Sequence, residues 1–96
     1  MKVNLTVGLK DLAGKEIVDN NGTAIMLNKF VANQIVSEEA KENVLQRFEL
    51  AMKLNVAEGG IEITDSEKEI IKKVCEAGRM TILIAAQILS IINNAK

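Results

Sequence analysis

The sequence predicts an α+β fold in a single domain over residues 1–96: a small N-terminal antiparallel β-meander (1–26), then about four helices (27–96), the last of them the most apolar. Three observations carry that expectation. Polarity alternates with period two near the N-terminus, and an Asp-x-x-Gly turn signature occurs twice, eight residues apart. From residue 27 the apolar residues instead recur at helical spacing.

Val3, Leu5, Val7 and Leu9 alternate with Asn4, Thr6, Gly8 and Lys10, which predicts a half-buried strand over 3–9. Asp11 and Gly14 mark a type I turn into a short strand at 15–18. Asp19-Asn20-Asn21-Gly22 is a stronger turn, because Asn and Gly tolerate positive φ, and it leads to a third strand at 23–26.

Leu27, Phe30, Val31, Gln34 and Ile35 predict a short helix over 28–36. Ser37 reads as a fresh start, with Glu38 and Glu39 where the helix dipole favours acids, so a second helix is expected over 38–56. Its apolar residues are Val44, Leu45, Phe48, Ala51, Met52 and Leu54, and Gly59-Gly60 ends it. Ile61-Glu62-Ile63 alternates and offers one more short strand at 61–63. Thr64-Asp65-Ser66-Glu67 is a capping box that opens a third helix. That helix carries Ile70, Ile71, Val74 and Cys75 on one face and Lys68, Glu69, Lys72, Lys73 and Glu76 on the other, and Gly78 stops it.

The last segment, 80–94, is apolar nearly all round, and the one polar row on it is Gln87, Ser90 and Asn94. Either it is a central helix wrapped by the rest of the fold, and so the most buried element, or one flank packs inside while the other meets a partner. On the second reading the contact residues are Ile84, Ile88, Ile91 and Ile92, with Gln87, Ser90 and Asn94 as polar specifiers. The apolar run is about 13 residues long, short of the ~20 that cross a bilayer.

Composition excludes several function classes. Lys plus Arg number 12 against 13 Asp plus Glu, and there is no Trp or Tyr, so neither a basic patch nor a base-stacking platform for nucleic acid is advertised. With no His and one Cys, the chain lacks a Cys/His zinc site and a His-activated nucleophile; no metal or cofactor is expected. Cys75 lies on an apolar helix face and reads as a buried small hydrophobe. Asp19–Gly22 departs from a calcium loop, which needs its Gly at the sixth position and Glu at the twelfth. Gly14-Lys15 lacks the upstream Gly and the following Ser or Thr of a phosphate loop.

The acidic pairs Glu38/Glu39, Glu58/Glu62 and Asp65/Glu67 sit at helix starts and turns, where a structural role suffices. A helix-turn-helix built from the last two helices would face DNA with Ile and Leu, which chemistry rejects. No catalytic residue is assigned, and no enzyme is expected. A lone cysteine and no export-type leader make the cytoplasm the expected compartment.

Leu5-Thr6 with Asp11-x-x-Gly14-Lys15, then Arg47-Phe48-x-Leu50-Ala51-Met52-Lys53-Leu54, then Ile61-Glu62-Ile63-Thr64 running into Glu69-Ile70-Ile71-Lys72 span most of the chain. On these stretches the chain resembles a group of small proteins encoded by tailed bacteriophages and prophages. The resemblance implies a non-enzymatic accessory protein of virion assembly, phage gene control or interference with a host system, in a bacterial cytoplasm. It carries over no functional residue.

The expected function is therefore protein–protein interaction, with itself as a homo-oligomer or with another phage or host protein. One alternative is a phage inhibitor of a host protein or defence enzyme that presents Glu38, Glu39 and Glu42 in imitation of nucleic acid. A second is a virion assembly factor, and a third is a small-ligand binder or enzyme with a pocket between meander and helices.

Overall fold

The computed structural model describes residues 1–38 and 42–95. The architecture is α+β: β1 (Lys2–Val3), α1 (Leu27–Ser37), α2 (Val44–Asn55), β2 (Ile61–Glu62), α3 (Asp65–Glu76) and α4 (Ile82–Asn93). β1 and β2 pair antiparallel, Lys2 opposite Glu62 and Val3 opposite Ile61. The strand expected at 61–63 thus joins the N-terminus, and Ile63 and Met1 exchange backbone hydrogen bonds at 2.8 and 3.0 Å.

The strand expected over 3–9 is corrected to two residues of ladder. Asn4 Oδ1 accepts the Thr6 N–H at 3.0 Å, and this local bond diverts the backbone from a partner strand. The Thr6 hydroxyl then binds the chain on the far side of α2, accepting from Gly59 N–H at 3.1 Å and donating to Ala57 C=O at 3.2 Å.

The meander forms, but through single antiparallel bridges in place of ladders: Gly8 with Met26, Lys10 with Glu16, Val18 with Ala24. Both turns are built alike. Asp11 Oδ1 accepts from Ala13 and Lys15 N–H (2.9 Å each), and Asp19 Oδ1 accepts from Asn21 and Thr23 N–H (2.8 and 3.0 Å). Gly14 and Gly22 take φ of +82° and +78°, the left-handed region that each turn requires.

Turns this tight leave only a few residues between them, so the three passes converge on their midpoints and do not run side by side. The result is a closed ring of backbone hydrogen bonds. Leu9 N–H donates to Ile25 C=O (2.8 Å), Ile25 N–H to Ile17 C=O (3.3 Å) and Ile17 N–H to Leu9 C=O (2.9 Å).

α2 begins later than the expected residue 38. Ser37 closes α1, its hydroxyl donating to Asn33 C=O at 2.6 Å. Asn43, immediately before α2, has left-handed backbone (φ 53°, ψ 37°), which no helix continues through. The part of the expected first turn at 39–41, Glu39 included, lies outside the described residues.

α3 starts on its capping box, with Glu67 N–H donating to Thr64 Oγ1 at 3.1 Å and Thr64 N–H to Glu67 Oε1 at 2.8 Å. Gly78 follows at φ +80°. α4 starts at Ile82 behind the N-cap Thr81.

The core gathers Leu5, Leu27, Val31, Leu50, Leu54 and Ile71, all nearly inaccessible, between α1, α2, α3 and the N-terminal segment. Asn28 is buried with them, and its Nδ2 donates to Leu54 C=O at 2.9 Å, which ties α1 to the end of α2. The expectation that the last helix is the most buried element is corrected. Ile88 and Ile92 alone are fully buried on α4, against five residues on α1, because α4 packs chiefly on α3 and is not wrapped on all sides. Among the described residues no helix is long and apolar enough to cross a membrane.

Candidate protein-interaction surface

On α4, the seven residues assigned from sequence separate into three groups. Ile88 and Ile92 point into the core with no exposed surface, so they cannot touch a partner in this folded form. Their burial follows from an apolar helix choosing, out of several equivalent faces, the one that meets α3. Ile84 and Ile91 are half-buried, while Ser90 and Asn94 are exposed. Asn94 is spoken for locally, its Nδ2 donating to Ser90 C=O at 2.8 Å.

Gln87 is a clamp. Its Oε1 accepts the Lys10 N–H at 3.0 Å and its Nε2 donates to the Lys10 C=O at 2.6 Å, so one amide side chain satisfies both backbone groups of a residue 77 positions away. The clamp holds the first turn against α4. Between them lies an open, mainly apolar groove lined by Lys10, Asp11, Leu12, Ile82, Leu83 and Ala86, with Leu12 at 97% and Ile82 at 86% exposure on its rim.

A second apolar surface, which the periodicity reading missed, lies on α2. Leu50, Ala51 and Leu54 face the core. Val44, Phe48 and Met52 follow one another at four-residue spacing on the adjacent face, continued by Val56 just past the helix end, and Leu45 flanks them. With Val36 of α1 beside them, all six are 53–73% exposed.

The signal was present in the sequence. Gln46, Glu49 and Lys53 share one arc of α2 and Arg47 and Asn55 lie among the apolar positions, yet seven of its twelve residues are apolar, more than one buried stripe needs. Between α1 and α2 the floor of this face is a shallow groove lined by Ala32, Val36, Ala51 and Met52, with Asn33 and Asn55 at its edges.

Glu38, Glu42, Glu62 and Glu67, four of the acids flagged from sequence, face cations within the fold. Glu38 pairs with Arg47 at 3.0 Å, both side chains about four-fifths buried, and Glu42 lies 3.6 Å from Lys73. Two members of the acidic trio therefore already face cations, and Glu39 lies outside the described residues. Glu62 meets the N-terminal ammonium at 3.4 Å.

Burial acts to raise the Glu67 pKa, but the Thr64 N–H and the Lys53 ammonium, 3.0 Å away, outweigh it and hold the carboxyl below its ordinary value. Cys75 is buried, and its thiol is pushed up to about 11 by desolvation and by the neighbouring Glu76 carboxylate, so it packs as an apolar group.

Comparison of the chain with protein-family models, with characterised proteins and with solved structures found no match.

Proposed function

We propose that this chain is a non-catalytic accessory protein of the phage and prophage type that works by protein–protein contact, with itself or with one phage or host protein. The observation that carries the reading is the row of six large apolar side chains on α2 and α1, each more than half exposed. A domain this small gains little stability to spare, and leaving such side chains more than half in water forgoes over half of the roughly 1.5–3 kcal/mol that full burial of each would give. Apolar patches of this extent on a monomer are typical of contact surfaces. The groove between Leu12 and Ile82 is a second, smaller area of the same character.

The inhibitor alternative that relies on acidic mimicry is weakened by the Glu38–Arg47 and Glu42–Lys73 pairs, which neutralise part of the charge such mimicry would display.

The test is co-purification of a tagged chain from bacteria that express the remaining genes of a phage carrying it, with Leu45→Asp and Ile82→Asp as comparisons. The expected result is a stoichiometric complex that at least one of these exposed-site variants abolishes while its circular dichroism stays unchanged. Recovery of the chain as a free monomer in every preparation sinks the reading.

A further inference from the structure

The α2 face carries an inference that rests on the interaction reading and names the partner. We infer that α2 is a self-association face, on which a second copy of this chain docks antiparallel across a two-fold axis. Area is the first argument. Six side chains at 53–73% exposure leave open on the order of 600 Å² of apolar surface, close to the ~800 Å² per partner of a standard stable interface once rim atoms are added.

The second argument is self-complementarity. Read along its row, the stripe is Val44, Phe48, Met52, Val56, a near palindrome of small, large, large, small. A two-fold axis level with Leu50 sets Phe48 against Met52 of the second copy at the centre and Val44 against Val56 at both ends. A two-fold contact uses the same patch twice, so it demands a patch that matches its own reversal. A four-residue row is also the ridge that packs between the ridges of a like helix.

The row spans about 18 Å at 1.5 Å per residue, and the opposed directions set the two helix dipoles side by side and antiparallel, each N-terminus beside the other copy's C-terminus. The groove floored by Ala32 and Ala51 beside the stripe gives the large side chains of the second copy somewhere to seat. The stripe itself carries no charged side chain, and of the charged groups that line its Val36–Val44–Phe48 end, Glu38 and Arg47 are already paired with each other at 3.0 Å.

Sedimentation equilibrium on the full chain and on two variants tests this. Phe48 and Met52 are both more than half exposed, so Phe48→Glu and Met52→Lys leave the fold intact, which circular dichroism verifies. The wild type is expected at twice the monomer mass, and each variant alone at the monomer mass, with at least a tenfold weaker association. An equimolar mixture of the two variants is expected to regain the dimer mass, because the antiparallel arrangement sets Glu at 48 against Lys at 52 in one half and leaves Phe against Met in the other.

A wild type that stays monomeric at millimolar concentration overturns the inference, as does a dimer that survives both substitutions. A mixture that fails to re-associate overturns the antiparallel pairing. None of these results by itself removes the interaction reading, which falls only if co-purification also returns a free monomer.

Discussion

Glu67 shows how much one carboxylate holds together. Oε1 accepts from the Thr64 N–H and from Lys53, and Lys53 Nζ also donates to Glu62 C=O at 2.9 Å, so α2, β2 and the start of α3 are fastened at one point. Its folded pKa lies below the 4.5 of a free carboxyl. The stabilisation is therefore fully present above that value and is lost as pH falls through the lower, folded one. Because Gln at the same position can keep the capping bond to Thr64, Glu67→Gln is expected to cost the Lys53 pair, up to about 1 kcal/mol at neutral pH and almost nothing well below pH 4.5, so urea titrations of the two proteins should converge in acid. Equal differences at both pH values would refute this role. The capping box was legible from four consecutive residues, whereas the link to Lys53 was not, because no local spacing encodes a partner on another helix. The same holds for Gln87, which reads as a polar specifier on an apolar helix until Lys10 is found beside it.

α2 and α4 illustrate opposite outcomes of one difficulty, that an apolar helix face does not say what it faces. On α4 the residues expected at a contact include two at the centre of the core. Ile88→Asp is accordingly expected to unfold the protein, since it buries a charge where no surface is exposed, a loss of about 3–5 kcal/mol or more. Ile82→Asp, at 86% exposure, should fall within about 0.5 kcal/mol of wild type. Chemical denaturation followed by circular dichroism separates the two, and a folded Ile88→Asp would show that α4 is not anchored as described. On α2 the periodicity merged two faces into one, because Val44, Phe48 and Met52 sit at helical spacing from Leu50, Ala51 and Leu54 as surely as from each other. The late start of α2 was also hidden. Ser37-Glu38 is a sound N-cap pattern, and it lost to the left-handed turn at Asn43.

Across the whole molecule, the fold class, the four helices and the two turns were written in local pattern, while the arrangement of the meander was not. Alternation at 3–9 signals a half-buried strand and is silent on its neighbour, and here Val3 pairs with Ile61 while Leu9 pairs with Ile17 and Ile25. The eight-residue repeat, read as two similar turns, is also the spacing that brings Leu9, Ile17 and Ile25 to one point. Because their three hydrogen bonds form a cycle, no one of them can open without displacing a segment that holds another. The three amides should consequently behave as a single cooperative unit in hydrogen–deuterium exchange, with protection factors within about tenfold of one another, and all far slower than the exposed turn amides of Ala13 and Asn21. Amide-resolved exchange that gave one of the three a rate near that of the turns would mean the cycle is open in solution. If the protection factors coincide, residues 9–25 open as one unit, with a single opening free energy for the three passes of the meander.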